Sequence, residues 1–400
     1  MMRKIWTVVL ISFFIGVPSV RSGQEDNPAE PAPRHHLFNF SLAFPEGTNS
    51  SKQDTANLSL SIFYGHLGSV RGLDVSLGAA ALERSLEGVQ IAGLLAAAGE
   101  SMAGGQLAGL LSVAGDRGEG FQLAGLGSVG GEEFTGVQLA GLFGVAGERL
   151  KGVQISGLFS VAGASTQGFQ ASGLFSVAGD YLDGVQLAGL FNVAGEDSRA
   201  LQFAGLMNIT GGTCRGLQVG LFNAAGKLRG VQIGLFNAAG EIEGLPIGLV
   251  NLTRKEDRRI RMSAWLGSLT YLNPGVKIWA KRFYSVLYLG GWNLSQNIEK
   301  CLGYGFQYGY AFPLRASGGG GSRTRVDVDA GYLYLDNGTI FSREGITDRH
   351  VLSVRGAFVY ELSPPVSLVA GTGLGYRVDR GTGLSAGRVF PLVFVGLELF

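Results

Sequence analysis

Gly184 to Arg199 reads GVQLAGLFNVAGEDSR, and this stretch returns again and again along the chain. Its amide, Gln186, belongs to a series at Gln90, Gln106, Gln122, Gln138, Gln154, Gln170, Gln186, Gln202 and Gln218, every step being sixteen residues. Asp74 holds the same phase one step earlier. Gln232 and Pro246 follow at steps of fourteen, as in the shorter copy Gly230 to Glu243, GVQIGLFNAAGEIE. A fixed short period means one structural unit stacked many times, each copy covering the next.

Each copy echoes itself. Val185-Gln186-Leu187-Ala188-Gly189 is answered by Phe191-Asn192-Val193-Ala194-Gly195. Short β-branched or aromatic runs bounded by glycine read as strands, and nothing here has a helical period. Each repeat therefore holds two short strands, each with a central amide. Two arrangements compete: a β-solenoid with one coil per repeat, and one large β-barrel with one strand per repeat. The step from sixteen to fourteen favours the solenoid. Gln186 to Asn192 is six residues but Gln218 to Asn223 is five, a deletion that would turn the asparagine to the opposite face of a continuous strand. At a corner between two arms it only tightens the corner. The connections at Asp116–Glu119, Glu132–Thr135, Glu148–Lys151 and Asp180–Asp183 are also all of one kind, whereas barrel connections alternate between short and long.

The amides Gln90, Gln106, Gln122, Gln138, Gln154, Gln170, Gln186, Gln202, Gln218 and Gln232 are the residues singled out. Their uniformity favours a hydrogen-bonded ladder between coils. The competing reading, a ligand-binding row, would call for variation along the column.

After a charged run at Thr253–Met262 the pattern becomes strict alternation. Leu302, Tyr304, Phe306, Tyr308, Tyr310 and Phe312 share one face. Val326, Val328, Ala330, Tyr332 and Tyr334 lie opposite Arg325, Asp327, Asp329 and Gly331, and Val354, Phe358 and Tyr360 lie opposite Ser353, Arg355 and Glu361. Ser263–Leu272, Tyr284–Trp292, Val366–Val378 and Val389–Phe400 are further candidate strands. An aromatic, apolar face against a small or charged one is the alternation of an outer-membrane strand; the competing reading is a soluble antiparallel sheet. Phe400 is out of phase with the apolar face of Val393, Val395, Leu397 and Leu399. His36–Pro45 and Asn57–His66 alternate similarly and either begin the solenoid or join the C-terminal sheet.

Met1–Ser22 has a basic start, Arg3 and Lys4, then the apolar run Ile5–Val17 and small residues, the pattern of a secretory signal. The expected organisation is 1–22 signal peptide, 23–36 flexible polar segment, 37–71 lead-in strands, 72–252 tandem-repeat β region, 253–262 charged linker and 263–400 C-terminal antiparallel β region of membrane-barrel character. No transmembrane helix is expected.

Glycine supplies 66 of 400 residues, charged residues only 16%, and the formal net charge is +1, so nucleic acid is not an expected partner. Cys214 and Cys301 are too few for a disulfide framework. His35, His36, His66 and His350 lack metal-ligand spacing. There is no P-loop, and neither an enzyme nor a cofactor is expected.

The GVQ-x-AGLFNVAG copies, approached through NLSLSIFYGHLGSVRGLDVSLG, resemble bacterial exported surface-repeat proteins with tandem Gly-x-Gln-x-(Ala)-Gly-Leu-x-Asn repeats, over roughly Asn57 to Leu252. The resemblance implies an exported envelope protein of unassigned function and supplies no catalytic residues. The reading is thus an all-β chain, a β-solenoid of 14–16-residue repeats plus a C-terminal antiparallel sheet or outer-membrane-type β-barrel. It acts as a non-enzymatic envelope or surface protein with a structural or interaction role, located at the outer membrane or cell surface of a Gram-negative-type bacterium. The alternative is an outer-membrane channel or anchor. Expected partners are outer-membrane lipid, through the C-terminal region, and a protein or glycan ligand.

Overall fold

A computed structural model describes residues 34–43, 46–48, 53–254, 260–291, 302–314, 323–336, 348–363, 366–380 and 387–399. The expected signal peptide, most of the 23–36 segment, residues 255–259 of the charged run, Cys301, the SGGGGS stretch at 317–322 and Phe400 lie outside them. The chain is all-β: a parallel solenoid of about 13 turns, then a closed barrel of eight antiparallel strands. Among the described residues no helix is long and apolar enough to cross a membrane. Two compact units meet at Leu201 and Gln202 and are described in turn.

In the first unit each coil repeats its neighbour's conformation. Phe134 pairs with Leu150, Val137 with Val153 and Gln138 with Gln154, in parallel and in register. This overturns the single large barrel, whose neighbouring strands would run antiparallel. In the coil that begins at Tyr181, strand runs over Tyr181–Ala188, bends at Gly184, turns at Gly189–Leu190, resumes over Phe191–Ala194 and turns at Gly195–Glu196. Leu182, Gln186, Asn192 and Ala194 point inward and are buried, while Val185, Phe191 and Val193 face out.

The corner glycines are required rather than tolerated. Gly152 has φ +124°, and a Cβ there would run into the carbonyl oxygen of Gly136 in the preceding coil. Both the left-handed backbone and the close approach exclude a side chain.

The four stretches expected to be connections are mostly strand. Only their first residues turn; the rest form a third side of the coil. Their middle residues decide this: Phe134, Leu150 and Leu182 are 0% exposed and alternate with outward charged or polar residues. The charges masked a strand with a single apolar inward position.

At the N-terminal end, His35–Ala43 pairs in parallel with the strand Thr55–Ser76, so both early alternating segments begin the solenoid. Glu46–Gly47 folds back antiparallel onto Ser41 and Ala43.

The second unit opens on the last sixteen-residue step, Gln202 to Gln218, and continues with coils of fourteen residues. Gln218 pairs with Gln232, Asn223 with Asn237, and Asn237 with Asn251. The barrel follows as Ile260–Gly267, Leu272–Ala280, Phe283–Gly291, Leu302–Pro313, Thr324–Asp336, Asp348–Ser363, Val366–Arg380 and Arg388–Leu399. It closes by pairing the first of these strands with the last. Seven strands were expected here. The missing one is Leu272–Ala280, whose Pro274 and Gly275 break the alternating pattern, and the candidate Ser263–Leu272 stops at Gly267 because the following residues turn.

The outer wall of the barrel seals the last coil. Ala280, on the outward phase of its strand, packs with Cys214, Leu228 and Ile242 from the solenoid interior. Ser285 Oγ donates to the Gly248 carbonyl at 3.0 Å, and the Tyr308 hydroxyl donates to the Pro246 carbonyl. Burial pushes the Cys214 thiol pKa up.

Candidate functional site

The repeat amides are brought together in single file. In the first unit Gln90, Gln106, Gln122, Gln138, Gln154, Gln170 and Gln186 are all 0% exposed. Each side-chain Nε2 donates to the Oε1 of the preceding glutamine at 2.8–2.9 Å. The first of them, Gln90, donates to Asp74 Oδ2 at 3.0 Å. In the second unit Gln218 donates to Gln202 and Gln232 to Gln218. The next position is Pro246, which has no amide, and Gln232 Oε1 is left without a partner. A fully buried amide with both ends engaged leaves no surface for a ligand, so this geometry is that of a ladder.

Asp74 starts the column, its Oδ2 accepting from Gln90. Burial raises its carboxyl pKa, against the lowering effect of hydrogen bonds from Gln90 and Ser59.

A second ladder runs in the opposite sense. Asn208 Nδ2 donates to Asn223 Oδ1, Asn223 to Asn237 and Asn237 to Asn251, at 2.8–2.9 Å. Asn251 donates on to Ser285 Oγ in the barrel wall at 3.2 Å. Glutamines donate toward the N-terminus and asparagines toward the C-terminus, so the two rows of amide dipoles oppose each other across the coil. In the first unit the same column is mostly serine, as in the bond from Ser112 Oγ to Ser128 Oγ at 3.0 Å.

The barrel carries the densest charge. Lys277 Nζ lies 2.7 Å from Asp327 and 2.6 Å from Glu398, and Arg325 bonds the same two carboxylates. Arg355 pairs with Asp329, which also accepts from the Tyr284 hydroxyl at 3.0 Å. Arg355 further contacts Gln307 and lies over the rings of Trp265 and Phe394. All these groups point inward. Two voids beside them have a volume of about 30 Å³ each, room for roughly one water apiece.

The outer face is the inverse. Leu352, Val354, Phe358, Leu374, Val389, Val393, Val395 and Leu399 are exposed hydrophobics. Among the described side chains no outward strand position of the barrel holds Asp, Glu, Lys or Arg. Tyr304, Tyr332, Tyr334 and Tyr376 gather toward one rim, and Tyr308, Tyr310, Phe312 and Tyr360 toward the other.

Sequence reasoning placed Asp327, Asp329 and Arg355 on the polar face but missed Lys277, because its strand was missed. The available signal was the alternation Val276-Lys277-Ile278-Trp279. Elsewhere, His66 lies between Tyr64 and Glu83, and His36 contacts Asp54. Among the described residues no group of three or more His, Cys, Asp and Glu is placed to hold a metal ion. Compared with models of protein families, with curated proteins and with solved structures, the chain matches none.

Proposed function

We propose that this is an exported, non-enzymatic envelope protein whose C-terminal barrel is an anchor in an outer membrane and whose solenoid is the structural part it holds. The observation that carries the reading is the barrel's inverted polarity: among the described side chains the charges of its strands lie in the interior, and the outer face is aliphatic between two aromatic rims. A water-soluble barrel does the reverse, and a membrane barrel requires this arrangement. Closure also leaves no sheet edge exposed to lipid.

An anchor is favoured over a channel because side chains fill the barrel, as expected for eight strands. The rim at which successive strands are separated by only two residues, Ala280 from Phe283 and Ser363 from Val366, also holds the strand ends Ile260, Pro313, Thr324 and Leu399. At the other rim lie the strand ends Gly267, Leu272, Gly291, Leu302, Asp336, Asp348, Arg380 and Arg388, which longer stretches of sequence separate. Short turns face the periplasm in outer-membrane barrels. The last coil packs at that same rim, against Ala280 and Ser285, which supports a periplasmic position for that coil. The resemblance to exported surface-repeat proteins agrees with an envelope role.

The test is the folded full-length protein on an unheated gel and in lipid vesicles. The reading expects a heat-modifiable band, resistance to alkaline extraction and no single-channel conductance. Recovery of the full chain in the soluble fraction without detergent would overturn it.

A further inference from the structure

The outward side chains of the first unit are sorted as sharply as those of the barrel. From Arg84 to Arg199 every Asp, Glu, Lys and Arg falls on the coil side represented by Asp180–Asp183 or at the turn leading into it. The other two sides carry none. One presents pairs such as Val89 and Ile91, or Val153 and Ile155; the other presents Phe143, Phe159, Phe175 and Phe191, each followed two residues on by a valine. Phenylalanines of adjacent coils stack, with ring centroids 5.6 Å apart for Phe143 and Phe159 and 5.2 Å for Phe159 and Phe175.

The two apolar sides meet at a ridge of leucines. Leu94, Leu110, Leu126, Leu142, Leu158, Leu174 and Leu190 occupy the turn in successive coils, each 38–52% exposed. Six coil steps of ~4.8 Å and eight residues of ~3.3 Å give about 750 Å² of continuous apolar surface. The largest patch on a typical soluble monomer is roughly 300–600 Å².

We infer that this ridge and its two flanking sides lie in the acyl-chain region of a membrane leaflet, so that the solenoid is a lipid-bound element in its own right. The inference goes beyond the anchor reading, which supplies the membrane. Three features select hydrocarbon over a protein partner. The surface is convex, with two sides meeting at an edge, so a rigid second copy pressed on one side leaves the other wet while a fluid phase covers both. The outward positions there offer almost no polar side chains, whereas protein interfaces carry about one hydrogen bond per 100–200 Å². The backbone of these sides is paired coil to coil, as for Phe143–Ala146 with Phe159–Ala162, so immersion strands no peptide group. The charged side, opposite the ridge, remains in water, the disposition of an element lying in the interfacial plane.

The test labels the full-length protein in phospholipid vesicles with a polarity-sensitive nitrobenzoxadiazole at one cysteine at a time. Cys301→Ser removes the competing thiol, and Cys214 is buried. The sites are Leu158→Cys on the ridge, Lys151→Cys on the charged side and Val354→Cys on the outer face of the barrel. The inference expects the Leu158 and Val354 labels to shift to shorter wavelength and lose most of their emission with doxyl-labelled lipids, the Lys151 label doing neither. Quenching at Val354 without quenching at Leu158 overturns the lipid-bound solenoid and leaves the anchor standing. A Leu158 label that is shifted, unquenched and cross-links to itself overturns it in favour of a second copy. Quenching at Leu158 without Val354 supports the inference and overturns the anchor, and quenching at neither overturns both.

Discussion

The ladder can be tested by removing one rung, Gln154→Leu. Gln154 is fully buried, donates to Gln138 Oε1 and accepts from Gln170 Nε2, both at 2.9 Å. Leucine of similar volume strands both neighbours, although Gln170 Nε2 keeps a weak contact with the Val177 carbonyl at 3.4 Å. Each stranded buried group costs roughly 1–3 kcal/mol. Burying leucine in place of an amide offsets about 1.5 kcal/mol, so a net loss of about 2 kcal/mol is expected. The control is built into the same column. Gln232 also donates to its predecessor, but its own Oε1 already lacks a partner. Gln232→Leu strands one group while removing one orphan, so its effect should stay within about 0.5 kcal/mol. Glu148→Ala, on the charged side, should be equally mild. Denaturant midpoints of the three variants, followed by far-ultraviolet circular dichroism of the full chain in detergent, give the comparison. If Gln154→Leu proves no more costly than Gln232→Leu, amide bonding between coils contributes nothing and the reasoning fails.

Three further perturbations follow from the same geometry. The raised carboxyl pKa of Asp74 means the folded state holds its proton more tightly than the unfolded chain, so this stability is full below the unfolded value and is lost as pH rises through the folded one; Asp74→Asn keeps an acceptor for Gln90, removes that loss, and should raise the unfolding midpoint at neutral pH more than at acidic pH. Gly152→Ala meets both a positive φ and the Gly136 carbonyl, and a loss of about 1–3 kcal/mol or more should appear in the same melts. Lys277→Met leaves Asp327 and Glu398 with arginine partners only; breaking a buried charge cluster costs about 3–5 kcal/mol, seen as a lower temperature for loss of the folded gel band.

The sixteen-residue period made the solenoid legible because stacking coils in register forces equivalent residues into columns, and only some side chains tolerate being stacked. Glutamine does, because its amide both donates and accepts. Less legible was the third side of each coil, where one inward residue, such as Leu150, sits between outward Arg149 and Lys151 and looks like a surface connection. The strand Leu272–Ala280 stayed hidden for a different reason. Pro274 lies on the outward face, and Gly275 makes room for the bulky Tyr288, a requirement set by a neighbour rather than by the strand. The seal on the last coil was beyond sequence reading altogether, since Ser285 and Ala280 acquire their role only once the barrel wall lies against Gly248 and Ile242.

A parallel stack of near-identical turns has no inherent last member. Each finished turn presents a row of unpaired peptide groups and two side-chain columns that would template another, from the same molecule or a different one. Here growth is terminated at both ends by different means. The first turn is blunted by the two-residue strand Glu46–Gly47 folded across its edge. The final turn is stopped by a wall, because the asparagine row ends on a serine hydroxyl and the glutamine row has already ended in proline. The barrel is therefore a chain terminator as well as a proposed anchor. Cut away at Thr253, the repeats would be left with a live end on which copies could add.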